Sequence, residues 1–143
     1  MTEISFHFNV PSRNDYACRL LRKASRRAAP VAVTGPVDRL AELDRALWAI
    51  GPADFIAHAW VGDAEAVPSG LRGRIVWLAP EPLAAPLHET LLNLGDAVPR
   101  GFETFERLIE LVTTEAADRA AARDRWKGYA GRGYAIVRHE VGA

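Results

Sequence analysis

The sequence predicts a single α/β domain: a mostly parallel sheet with helices on both faces. Segments with two-residue apolar periodicity alternate with segments of helical periodicity, and parallel neighbours need the long crossovers that such helices supply. Ile75, Val76, Trp77, Leu78 and Ala79 form an uninterrupted apolar run, as expected of a strand covered on both sides. The 143 residues support one core, whereas a division would leave two poor ones of about 70 residues each. Residues 1–143 therefore read as one domain, with no internal repeat or low-complexity tract.

The elements follow in order. Ile4, Phe6 and Phe8 alternate with Ser5, His7 and Asn9, which predicts a strand over 3–9 with one apolar face. After the turn at 11–14, Tyr16, Ala17, Leu20, Leu21, Ala24 and Ala28 recur at helical spacing, with Asn14 or Asp15 as the expected N-cap. The opposite face of that helix carries Arg19, Arg22, Lys23, Arg26 and Arg27. Pro30 ends it, and Val31 and Val33 belong to a short β-branched strand. Gly35 and Pro36 turn the chain into a second helix, whose stripe of Leu40, Leu43, Leu47 and Trp48 runs to the stop at Gly51 and Pro52.

Residues 55–60 fit a short strand, and 62–74 are polar and turn-rich, a surface loop. Strands over 75–79 and 91–94 flank a segment with prolines at 80, 82 and 86. From Gly101 the spacing of Phe102, Phe105, Leu108, Ile109 and Val112 predicts a helix, with Glu103, Glu106 and Glu110 on its solvated face. An Ala-rich helix follows over 114–129. Gly131 and Gly133 end it, and 134–139 reads as a closing strand.

Composition narrows the function. With 49% hydrophobic and 25% charged residues the chain is neither disordered nor fibrous. Lys plus Arg and Asp plus Glu are 18 each, so there is no long-range pull on nucleic acid or anionic membrane, and any electrostatic role is local. No apolar stretch approaches the ~20 residues of a membrane span, and the N-terminus lacks signal-peptide character, which places the chain in the cytoplasm. Cys18 is the only cysteine; it suits a small buried thiol better than a nucleophile.

Catalytic motifs are absent. The turn after the first strand, NVPSRND, has no glycine, and Gly131-Arg132-Gly133 precedes a strand rather than joining a strand to a helix. A nucleotide cannot approach such a first turn closely. His7, His58, His88 and His139 lack metal-ligand spacing, so neither a metal nor a cofactor is expected. Glu106 and Glu110, four apart, read as a solvated face rather than an acid/base pair.

The last quarter stands apart, with Arg119, Arg123, Arg125, Lys127, Arg132 and Arg138 opposed by Asp118, Asp124 and Glu140. Arg123, Trp126 and Lys127 share a helical face. Two cations beside an aromatic suit an acidic, apolar peptide, yet a solvated basic helix end with a half-buried Trp126 has the same pattern.

Six stretches together resemble the chi subunit family of bacterial DNA polymerase III. They are YACRLLRKA (16–24), LAELDRALW (40–48), DFIAH (54–58), LLNL (91–94), FERLIELV (105–112) and RDRWKGYAGRGY (123–134), in order over nearly the whole chain. The resemblance implies a nucleotide-binding-like topology without the glycine-rich loop and a non-catalytic accessory role in DNA replication. It implies a bridge between the psi subunit of the clamp loader and the acidic C-terminal tail of single-stranded-DNA-binding protein, and so an indirect link to single-stranded DNA. The tail-binding residues it implies are Arg123, Trp126 and Lys127, with Phe55 and Val112 as apolar wall and Arg119 and Arg125 as supporting cations. Where the family often has Tyr, this chain has Trp126. Two rivals stand beside that reading: an α/β enzyme or binding protein holding a nucleotide or phosphorylated ligand at the basic cluster, and direct binding of single-stranded nucleic acid there.

Overall fold

Seven strands hydrogen-bond in the order β3-β4-β2-β5-β6-β1-β7, all parallel. They are β1 (Glu3–Val10), β2 (Val31–Thr34), β3 (His58–Trp60), β4 (Val76–Leu78), β5 (Thr90–Asn93), β6 (Arg107–Thr113) and β7 (Ile136–Glu140). Three α-helices connect them: α1 (Arg13–Arg26), α2 (Val37–Ala49) and α3 (Ala116–Gly131). The computed structural model describes residues 1–142, Pro52 by its backbone alone.

The crossovers decide which face each helix covers. From β1 the chain moves through α1 toward the β3 edge, and from β6 it moves through α3 toward the β7 edge. Right-handed crossovers running in opposite directions must lie on opposite faces of the sheet. The core divides accordingly. Leu21 of α1 and Leu40, Leu43 and Leu47 of α2 pack with Val33, Leu92 and Leu111 on one face. Ala122 and Tyr129 of α3 pack with Ile4, Phe6, Leu108 and Val112 on the other, joined by Phe102 and Phe105.

Ser12, one position ahead of the first helical residue, caps α1 by accepting the Asp15 amide at 3.3 Å. The expected caps Asn14 and Asp15 lie inside the first turn instead. Residues 62–74 form a surface segment, with 3-10 turns at Val61–Ala66 and Ser69–Leu71.

One element was misread. Residues 101–113 are not helical: a 3-10 turn at Phe102–Thr104 leads into β6. Beyond Arg107, Leu108 and Val112 point to the α3 face while Ile109 and Leu111 point to the α1 face. The run is apolar on both sides because β6 lies inside the sheet, between β5 and β1. That fills helical positions as well as strand ones. Glu110 consequently lies on the α3 face of a central strand, fully buried rather than solvated.

Candidate functional site

The β6-α3-β7 unit, with β1 between its two strands, builds an open pocket of about 440 Å³ between α3, β1 and β7. Its floor comes from strands. Phe6 and Phe8 of β1 and Val112 of β6 present aliphatic and aromatic carbon, and Arg138 of β7 lies with its guanidinium carbon 5.0 Å from the Phe8 ring centroid. The helix supplies the wall. Arg119, Arg123 and Trp126 fall at i, i+4 and i+7, a single stripe along α3. Trp126 is half-buried, its ring centroid 5.0 Å from that of Phe6, so one face is fixed against the floor while the rest borders the opening.

The cations here are not neutralised by the nearest acid. Asp118 is turned inward, where its carboxylate accepts the Thr113 amide at 2.7 Å and hydroxyl at 2.9 Å and meets Arg13 at 3.0 Å. It fastens the β6-α3 junction to the start of α1. Arg119 and Arg123 are left exposed at the pocket rim.

Of the residues expected at a tail site, Arg123, Trp126, Val112 and Arg119 meet in this pocket. Lys127 is exposed on the next turn, outside the pocket lining. Arg125 is not a surface cation. Asp118, Ala122, Arg125 and Tyr129 recur at i, i+4, i+7 and i+11 as the buried stripe of α3, and Arg125 is only 2% exposed. Its Nε donates to Glu110 at 3.1 Å and a terminal nitrogen donates to the Asp96 carbonyl at 2.8 Å. Asn93 donates to both Glu110 oxygens, and the Tyr129 hydroxyl donates at 2.5 Å. Burial pushes the Glu110 carboxyl up to about 7, against the downward pull of Arg125 and the hydrogen bonds.

Phe55 is not a wall of this pocket. It follows a 3-10 turn that leads into β3, the opposite edge of the sheet, and lines a separate cleft with Arg22, Arg26 and Asp54. There it is 56% exposed and sits 5.9 Å from Trp48, itself 62% exposed rather than buried as its place in the α2 stripe implied. His58 lies tilted against Trp48 with ring centroids 4.9 Å apart and bonds Asp44 at 2.8 Å. The two aromatics form an exposed pair.

Phe6, Phe8 and Ala122 line the pocket without having been expected there, and Arg138 was expected only as a member of the C-terminal basic cluster. Period-two spacing already put Phe6 and Phe8 on one face of β1, but only the β1-β7 register, with Phe6 beside Arg138, brings the cation to them. Cys18 is half-buried against the α1-α2 core, and burial raises its thiol, which matches a packing role.

At the carboxyl ends of the strands, where an open α/β sheet holds nucleotides, Arg13–Asp118 ties the starts of α1 and α3 together and Arg39–Asp96 ties α2 to the loop after β5. A Cβ at Gly35 would stand 3.2 Å from the Gly95 nitrogen, so the β2 and β5 turns close on each other instead of leaving a phosphate cradle. Among the described residues no metal-binding cluster occurs and no helix is long and apolar enough to cross a membrane.

Residues 1–137 match the family model of the DNA polymerase III chi subunit, HolC. The chain is 31% identical over 147 aligned positions to DNA polymerase III subunit chi of Pseudomonas aeruginosa, covering 99% of this chain and 98% of that protein. It is 27% identical over 129 positions to DNA polymerase III subunit chi of Haemophilus influenzae, covering 90% and 87%. The chain belongs to the DNA polymerase III chi subunit family, accessory subunits of the bacterial replicase.

Proposed function

We propose that this chain is a non-catalytic cytoplasmic adaptor whose α3 pocket takes the acidic C-terminal tail of single-stranded-DNA-binding protein. One observation carries the reading: three exposed arginines and a half-buried Trp126 share one open pocket with an apolar floor. The tail's terminal apolar side chain seats against Trp126, Phe6 and Val112, where burial of carbon supplies affinity. Its carboxylates take charge-assisted hydrogen bonds from Arg119 and Arg123, with Lys127 adding charge at the rim. Each such contact is weak, and the work is done by number. Several tails on one coated template raise the effective concentration of the attached polymerase.

An adaptor needs a second surface. The exposed Trp48–Phe55 pair, at the other edge of the sheet from the tail pocket, supports a contact there with the psi subunit of the clamp loader. Partners at opposite edges leave one another's sites free.

The nucleotide or phosphorylated-ligand alternative has the ion-paired helix starts and the closed β2 and β5 turns at the strand ends against it. Fluorescence anisotropy with an acidic peptide ending in an apolar residue and a free carboxylate tests the tail reading. The free-acid peptide binds more tightly than its amide, and Arg123→Glu weakens it while the protein stays folded. Equal affinity of acid and amide removes the carboxylate from the site. Calorimetric heat with a nucleotide but not with the peptide returns the pocket to the alternative.

A further inference from the structure

We infer that a second groove, between α1 and β7 on the opposite face of the sheet from the tail pocket, binds the sugar-phosphate backbone of single-stranded nucleic acid. The polar side of α1 packs five cations into nine residues, Arg19 to Arg27, and the tail-binding reading uses none of them. Arg19, Lys23 and Arg26 stand exposed along a groove of about 610 Å³, with Leu20 and Val141 at its base and His139 of β7 opposite. Asp54 engages Arg26 at 3.1 Å and approaches Arg22 at 4.0 Å. Arg19 and Lys23 meet no carboxylate among the described residues. Asp54 lies outside this groove, and Glu140, the acid that lines it, is oriented by the Asn9 side-chain amide at 2.8 Å and keeps its negative charge.

The spacing of charge favours a phosphodiester chain over an acidic peptide. From Arg19 to Arg26 the helix rises about 10 Å, so the cations form a line rather than a single anchoring point. Binding driven by successive phosphates needs such a line and little else. A peptide of the kind proposed for α3 also needs an open socket for its apolar side chain. The aromatic member of this groove, Tyr16, is buried, with its hydroxyl held by the His7 ring nitrogen at 2.5 Å, and Leu20 and Val141 are half-buried, so no aromatic wall like Trp126 stands open here. Period-two alternation keeps the two sites apart. Arg138 lines the tail pocket while its neighbour His139 lines the α1 groove, with the edge of the sheet between them.

The test is anisotropy of a labelled oligothymidylate of about 20 nucleotides, titrated with the whole protein from about 50 to 200 mM salt. Binding is expected at low salt, with log affinity falling against log salt at a slope of about −2 for three phosphates engaged. The double variant Arg19→Glu, Lys23→Glu should lower affinity about tenfold or more and flatten the slope. The neutral pair Arg19→Gln, Lys23→Gln should lose less, and both should melt with the parent and keep the parent's affinity for the acidic peptide at α3. No binding at low salt overturns the inference. So does a larger loss from Arg123→Glu than from the α1 double variant, which would put the oligonucleotide on α3. Tighter Arg19- and Lys23-dependent binding of an acidic peptide than of the oligonucleotide would identify the groove as a second peptide site and equally overturn it.

Discussion

Arg123 and Arg125 are two residues apart on α3, and the same side chain serves opposite ends at the two positions. Arg123 stands in water at a pocket rim, free to exchange solvent for a partner's carboxylate. Arg125 has lost its water and holds Glu110, the Asp96 carbonyl and, through Glu110, Asn93 and Tyr129 in one buried set. A cation kept in water has interaction free energy left for binding; one sealed in the core has spent it on holding the loop after β5 against α3. Helix phase makes the choice. Two residues turn the side chain by about 200° on an α-helix, from pocket to core.

Substitution at the buried member should break the contrast most visibly. Arg125→Ala leaves Glu110 without its counter-charge in a water-free site, and denaturant unfolding should show a loss of about 3–5 kcal/mol. Arg123→Ala should stay within about 0.5 kcal/mol of the parent. The Arg125→Ala loss has a pH signature. With Arg125 gone the Glu110 carboxyl is driven above its value of about 7, and a bound proton then removes the uncompensated charge. Because the variant's native state holds that proton over a wider range than the parent's, its deficit should grow as pH rises through and beyond about 7. A deficit independent of pH would mean that Glu110 is not what Arg125 protects.

Trp126→Ala should weaken the acidic peptide by about 2 kcal/mol, since the indole is the largest apolar surface at the opening. It should also cost some stability through the lost Phe6 contact. Arg123→Glu should weaken the peptide by about 1–2 kcal/mol with little change in melting temperature, and added salt should shrink the difference. Loss of binding without loss of fold is the counterpart of Arg125. Phe55→Ala should leave peptide affinity unchanged, because the ring lies at the far edge of the sheet. An equal loss of peptide affinity in Phe55→Ala and Trp126→Ala would dissolve the distinction between the two edges.

His7 is intermediate between the two arginines in exposure. Burial, with His139 beside it, lowers its pKa from 6.5 to about 4. The unfolded chain therefore takes up this proton before the native one does, and the associated stability, complete above about 6.5, is lost as pH falls through 4. Proton NMR of the His7 imidazole should show a midpoint near 4, and a midpoint at the ordinary 6.5 would contradict its burial.

Most elements were legible because their periodicity has one reading. The alternation in 3–9 and the apolar run at 75–79 could only be strands, and the Leu40, Leu43, Leu47 series only a helix. Residues 101–113 defeated periodicity because an inner strand, apolar on both faces, satisfies helical spacing too. Glu110 was misplaced with them. Arg125 was readable in principle: it continues the series Asp118, Ala122 and precedes Tyr129, the buried stripe of its helix. The floor of the pocket was not readable. It depends on β7 lying beside β1, a pairing between segments far apart in the chain that leaves no local mark.

That pairing has a consequence for how the protein is made. Asn9 and Glu140 bond across a separation of 131 residues, and β1 is inserted between β6 and β7, strands that follow it far along the chain. Contacts of such long sequence separation delay folding, so β1 must wait, unpaired, until β6 and β7 have been made. A nascent chain halted before β7 lacks both the neighbour that closes β1 and the arginine that lies over Phe8. Until β7 is in place the pocket cannot form, and a chain without it cannot compete for a partner there.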